Sequence, residues 1–221
     1  MELKTGLIKA ILFDFDGVIA QTLPSHIAAW KQVLSDLDIF PDENTVRIHE
    51  GLTTVEIARA IFAANGRTID EDTARIYSEQ KNLIFQKQNS ATVYSAVHEL
   101  LPSLKRRFKL GLVSGSTLKN ILSVVPDNLS RLFDVIITDG DTKRAKPNPE
   151  PYLAAAKRLR VKPQECIVVE NAPLGIQAAK KARTFCIGLM TTLPASALEG
   201  ADVLCKDHEE LLQKIASITA R

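Results

Sequence analysis

Apolar residues along the chain fall into short, nearly continuous runs separated by longer stretches with helical spacing. Runs rich in β-branched residues occupy Ile8–Asp14, Phe108–Ser114, Phe133–Asp139, Cys166–Glu170, Thr184–Met190 and, more weakly, Asp202–Cys205. Because they are apolar almost throughout rather than alternating, they read as strands covered on both faces by helices. Ser116–Val125, Pro149–Arg160 and Leu174–Ala182 carry helical periodicity and lengths suited to right-handed crossovers. The pattern predicts an α/β chain built on a doubly wound parallel sheet.

From Thr22 to about Tyr94 the alternation stops, and no convincing strand occurs. Amphipathic helices are predicted over Pro24–Leu37, Thr53–Ala64 and Asp70–Gln88. Thr53 or Thr54 caps the second, and Asp70 and Asp72 stand at the positive end of the third. Three or four helices inserted after the first strand make a small α-helical domain at 22–94. The α/β core is then formed by 1–21 and 95–221.

Composition narrows the class. A chain of 221 residues suffices for one sizeable core and a small accessory unit. With 45% hydrophobic and 24% charged residues it is an ordinary globular chain rather than a disordered one. A formal charge of +2 is too small to point to nucleic acid. Lys105-Arg106-Arg107 reads as a solvated helix end. No stretch approaches the ~20 apolar residues that cross a membrane. The apolar run that follows Met1–Ile8 breaks on Asp14 and Asp16, so no secretory leader is expected. Cys166, Cys186 and Cys205 lie in strand-like runs without the spacing of a metal site, and are expected as buried, reduced thiols of a cytoplasmic protein.

The acids and their partners fall at the ends of the predicted strands. Asp14 and Asp16 close the first run, Ser114 the second, and Glu170 and Asn171 the fourth, while Lys146 follows the third. Ligands of an open parallel sheet bind at the carboxyl ends of its strands, so these residues are expected to converge on one crevice. A carboxylate at Asp14 can attack phosphorus, splitting one difficult step into two. Asp16 can protonate a leaving oxygen and then deprotonate water. Two close carboxylates disfavour double ionisation, which helps one of them keep a proton. Ser114 and Lys146 can hold phosphoryl oxygens. Asp14, the Asp16 carbonyl and Glu170-Asn171 are hard oxygen donors of the kind Mg2+ takes. Blander readings exist for single pieces. Asp14 and Asp16 alone could cap turns, and Ser114-Gly115-Ser116 could be a helix N-cap. His26 and Trp30, one turn apart, read as packing at the hinge of the helical insertion ahead of touching substrate. His49, His98 and His208 have no evident partners.

At these residues the chain resembles the haloacid dehalogenase superfamily. DFDGV at 14–18 after Phe13, VSGS at 113–116, KPNPEPY at 146–152 and VVENAPLGIQAA at 168–179 are similar to its four motifs, in order and across nearly the whole chain. The resemblance implies a Rossmann-like core with an inserted helical cap. It implies Asp14 as nucleophile, Asp16 as acid–base residue, and Ser114, Gly115 and Lys146 as phosphate contacts. Asp14, Asp16, Glu170 and Asn171 would be the metal positions. Aspartate at 16 argues against the dehalogenase and phosphonate-cleaving branches, and the chain has none of the membrane segments of transport ATPases.

The stretch Asp16–Thr22 with His26 and Trp30 looks most like the β-phosphoglucomutase-like subgroup, which holds both phosphomutases and sugar-phosphate phosphatases. Mutases of that kind carry an arginine at the position of Thr54, gripping a distal phosphate. Its absence here favours a phosphatase of small phosphorylated metabolites over a phosphomutase, with a non-catalytic binding module as the remote alternative. Lys81, like His26 and Thr54, is a candidate substrate contact on the cap. Asn171 stands where many relatives carry aspartate, which removes one negative charge and implies weaker or retuned magnesium binding.

Overall fold

A computed structural model of the chain describes residues 8–220. Met1–Leu7, which belong to the N-terminal stretch read above as no secretory leader, and Arg221 lie outside the described residues. Six strands form one parallel sheet: β1 (Ala10–Phe13), β4 (Lys109–Val113), β5 (Val135–Ile137), β6 (Cys166–Glu170), β7 (Phe185–Leu189) and β8 (Val203–Cys205). Their order across the sheet is β5-β4-β1-β6-β7-β8. Each lies inside its expected run, shortened by up to two residues at the ends.

Side chains alternate between two hydrophobic layers. Ile11, Phe13, Ile167, Val169 and Ile187 face the layer built with α5 (Val97–Lys105) and α10 (His208–Thr219). Ala10, Leu12, Val168 and Cys186 face the layer built with α8 (Glu150–Arg158) and α9 (Pro173–Lys181). The strands read as continuously apolar because both faces are covered. The crossover predicted at Ser116–Val125 is shorter: α6 covers Leu118–Leu122, and a further turn, α7, covers Asp127–Ser130. Thr117, not Ser114 or Ser116, caps α6, its hydroxyl accepting from the Asn120 N–H.

The insertion contains α1 (Leu23–Val33), α2 (Glu43–Ile48), α3 (Thr54–Ala64) and α4 (Glu71–Gln88). Leu23, Ile27, Trp30 and Leu34 recur at helical spacing and meet Ala58, Ile61, Phe62 and Ala74 in a cluster separate from the sheet layers. α1 stops at Val33, short of the predicted Leu37; a 3-10 turn follows at Ser35–Leu37, and Asp38 turns left-handed at φ 50°. Thr53 starts α3 with a reciprocal capping box to Glu56, and Asp70 caps α4.

The expectation of no strand between Thr22 and Tyr94 is corrected by a two-residue pairing. β2 (Ala20–Gln21) and β3 (Thr92–Val93) run antiparallel where the chain leaves and re-enters the sheet unit. Strands of two residues carry no periodicity to read. Trp30 is fully buried in the helical cluster. Trp30→Ala is expected to cost about 3–5 kcal/mol, measured by urea unfolding, with Trp30→Phe losing less.

Candidate active site

The strand registers set the level of the site. Phe13 pairs with Leu112 on one side and Val169 on the other, so Asp14, Val113 and Glu170 emerge together. The chain winds from β1 outward through β4 and β5, then returns to β6, and open sheets bind ligands beside such a reversal. Lys146, from the β5–α8 loop, joins these three strand ends. Its Nζ donates to Asp14 Oδ1 at 2.5 Å, to the Val113 carbonyl at 3.0 Å and to Glu170 Oε1 at 2.7 Å.

Glu170 is itself fixed. Oε1 also accepts from the Tyr152 hydroxyl at 2.5 Å, and Oε2 from the N–H groups of Asn171 and Ala172 at 3.2 and 3.3 Å. A Cβ at Gly175 would fall 1.8 Å from Glu170 Oε1, so the glycine makes room for this carboxylate at the start of α9. All three ions are buried. Burial works against the Lys146 ammonium, but Asp14 and Glu170 hold it well above the ordinary lysine range. Burial pushes the Asp14 carboxyl up to about 8, with Lys146 opposing and Glu170 and Asp16 adding to the rise.

Asp16 sits in a different setting. Its Oδ1 accepts from Thr22 Oγ1 at 2.6 Å and His26 Nε2 at 2.9 Å, and its Oδ2 from Ser116 Oγ at 3.1 Å and Ser114 Oγ at 3.4 Å. Burial opposes its charge, yet His26, Thr22 and Lys81 hold the carboxyl down at about 2. Of the two acids, Asp14 is therefore the one whose ionisation depends on the positive charge of Lys146 beside it. His26 Nδ1 faces Lys81 Nζ at 2.6 Å. An ammonium there leaves Nδ1 as acceptor and places the ring proton on Nε2, toward Asp16. Burial and Lys81 keep His26 below the usual imidazole range, against the pull of Asp16. Burial lowers Lys81 itself to about 7, although Asp16 resists.

The insertion closes over these groups. The Gly51–Leu52 backbone lies on Gly115, where a Cβ would stand 2.2 Å from the Leu52 carbonyl oxygen. Gln86 Nε2 donates to Asn120 Oδ1, and Asn120 Nδ2 to Asn82 Oδ1, both at 2.8 Å, tying α4 to α6. Closure delivers Glu50, whose Oε2 accepts from Asn171 Nδ2 and Thr192 Oγ1, each at 3.2 Å. A cleft of about 660 Å³ reaches Ser114, Gly115 and Lys146 from outside. A chamber of about 30 Å³ remains between Asp16, His26, Glu50, Thr54, Lys81 and Ser116.

The model of the haloacid dehalogenase-like hydrolases matches residues 11–189, which contain every one of these groups except Thr192. The chain belongs to that family. Validoxylamine A 7'-phosphate phosphatase of Streptomyces hygroscopicus subsp. limoneus is 34% identical to the hydrolase, over 93% of this chain and 96% of its own. Beta-phosphoglucomutase of Bacillus subtilis is 28% identical, over 92% of each. A solved structure of a putative beta-phosphoglucomutase from Bacteroides vulgatus is 29% identical and superposes with a TM-score of 0.82, covering 97% of this chain and 90% of the other. The hydrolase is thus an enzyme, and the reading as a non-catalytic module falls away.

The strand ends of the hydrolase offer oxygen, the donor that magnesium takes. Among the described residues, Asn171 Oδ1 and Glu50 Oε1 are buried acceptors without a partner. Buried carboxylates at Asp14, Asp16, Glu50 and Glu170 outnumber the buried ammonium groups of Lys81 and Lys146. Both observations fit a divalent cation. Among the described residues no three His, Cys, Asp or Glu side chains form a ready cage. That suits an ion which takes one or two carboxylates and completes its octahedron with water and substrate oxygens. Glu170, expected as a ligand, has both oxygens engaged and here anchors Lys146.

Sequence reasoning missed Glu50, Thr22, Ser116, Tyr152 and Thr192. Ser116 and Tyr152 lie within stretches already singled out, at 113–116 and 146–152. Thr22 figured only as the last residue of the Asp16–Thr22 stretch and the first of the insertion, and nothing local marks Glu50 or Thr192. His26 and Trp30, read as a packing pair, divide: Trp30 packs, while His26 stacks on Phe85 at 4.2 Å and also reaches Asp16. His208 donates to or accepts at no catalytic group; its Nε2 meets the Val18 carbonyl at 2.7 Å. Lys81→Met removes the charge that holds His26 down, so the His26 pKa is expected to rise. An NMR titration of the imidazole checks this, and an unchanged or lower value would break the Lys81–His26–Asp16 chain.

Proposed function

We propose that the hydrolase is a magnesium-dependent phosphatase of small, sugar-type phosphorylated metabolites, working through an aspartyl-phosphate on Asp14. The observation that carries this reading is Asp14 set beside a buried ammonium, with a separately hydrogen-bonded Asp16 two residues on. Segment 22–94 serves as a cap on the core of 1–21 and 95–221, and opens to admit substrate, since the chamber at Asp16 is too small for a sugar.

Asp14 carboxylate attacks phosphorus as the bond to the leaving oxygen breaks, and Asp16 gives that oxygen a proton. Asp16 rests ionised, so it must first gain this proton, and Lys81 and His26 form a hydrogen-bonded line along which it can arrive. Water then loses a proton to Asp16 and attacks phosphorus, and the bond to Asp14 breaks. The Ser114 hydroxyl, and Lys146 once it exchanges one of its present acceptors for substrate, would hold phosphoryl oxygens, the positioning on which phosphoryl transfer chiefly depends. Magnesium, held by Asp14, the Asp16 carbonyl and Asn171, would neutralise charge on the transferring group. Cys166, Cys186 and Cys205 are free and buried, in keeping with a reducing, cytoplasmic setting.

Two things favour a phosphatase over a mutase. The relative acting on validoxylamine A 7'-phosphate is the more similar of the two curated enzymes above. Thr54, buried at the chamber, offers one hydroxyl where a bisphosphate calls for a bidentate guanidinium. Phosphate release from a panel of sugar, polyol and cyclitol phosphates is expected to need magnesium, to stop with EDTA and to vanish in Asp14→Asn. Conversion of bisphosphate-primed β-glucose 1-phosphate to the 6-phosphate without net release would instead make it a mutase.

A further inference from the structure

Glu50 is a buried carboxylate that no step above uses. It comes from the loop between α2 and α3, far from the sheet in sequence, and only closure of the insertion carries it to the strand ends. One oxygen is held by Asn171 Nδ2 and Thr192 Oγ1 at 3.2 Å each, while Oε1 has no partner among the described residues. Asn171 Nδ2 also donates to Thr192 Oγ1 at 2.9 Å, which turns the amide so that its Oδ1 is the second unpartnered buried acceptor. Glu50 also borders the chamber that holds Asp16.

Two orphaned oxygens, each more than nine-tenths buried, carry a desolvation penalty unless something positive meets them. The buried ammonium groups do not supply it. Lys146 is committed to Asp14, Val113 and Glu170, and Lys81 to His26. Among the described residues four buried carboxyl groups face only two buried lysines.

We propose that Glu50 is part of the magnesium site, supplying from the insertion the negative charge that Asn171 lacks at the end of β6. This rests on the magnesium reading of the site given above. Asn171 and Glu50 then work as a pair: the amide offers its oxygen to the ion and its N–H to the carboxylate. An aspartate at 171 would offer no N–H and would set two carboxylates against each other. Because Glu50 reaches the site only when the insertion is closed, magnesium binding favours closure, and closure tightens magnesium binding.

Calorimetric titration of magnesium into the full-length protein without substrate tests this, comparing wild type, Glu50→Gln, Asn171→Asp and the double variant. Glu50→Gln is expected to weaken magnesium about 10–100-fold, and Asn171→Asp added to it to restore most of the loss. Asn171→Asp alone is expected to gain less than it does in the Glu50→Gln background. Affinity in Glu50→Gln equal to or tighter than wild type would overturn the role of Glu50 while leaving the magnesium reading intact. Restoration by the second substitution separates lost charge from lost folding, and equal effects of Asn171→Asp in both backgrounds would also overturn the pairing. Wild-type protein that binds no magnesium, with phosphate release unmoved by EDTA, would overturn both readings.

Discussion

A single buried ammonium holds this site together. Lys146 ties Asp14, Val113 and Glu170 at the carboxyl ends of three neighbouring strands. An uncompensated buried charge costs several kcal/mol, so each member of this trio is tolerable only because the others are present. The demands spread outward. Tyr152 and two backbone N–H groups fix Glu170, and Gly175 must stay bare for the carboxylate to fit. The sheet register that aligns Phe13 with Leu112 and Val169 is thereby also a constraint on chemistry.

The two aspartates of the first motif are made different by what surrounds them. Burial and the neighbouring acids push Asp14 up, while His26, Thr22 and Lys81 hold Asp16 down against its burial. Carboxyls whose environments push them apart are set for different roles, and Asp14 depends on the charge of Lys146 beside it to stay ionised. Lys81 and His26 come from the insertion, so the hydrogen-bonded surroundings of Asp16 are complete only when the insertion lies on the core.

Much of this was legible in the residues. The runs ending at Asp14, Ser114 and Glu170 announced parallel strands, because apolar side chains on both faces leave few other arrangements. Thr53–Ala64 and Asp70–Gln88 were readable from capping chemistry and period. The β2–β3 pairing was not, since two residues have no period, nor was the stop of α1 at Val33, where apolar spacing continues through Leu37. Glu50 was hidden for a deeper reason. It lies between predicted helices with no motif around it, and only the approach of the Gly51–Leu52 backbone to the bare Cα of Gly115 turns that loop inward. Lys81 likewise sits in a helix whose sequence is mostly polar, and its burial depends on His26 from another helix.

The proposed chemistry turns on Asp14 accepting the phosphoryl group. Quenching the enzyme in acid during turnover of its best substrate, then reducing it with tritiated borohydride, converts an aspartyl-phosphate to labelled homoserine that peptide mapping can locate. Label is expected at position 14, requiring magnesium and absent without substrate. Label at Asp16 or another acid, or full turnover with no label at position 14, would contradict it.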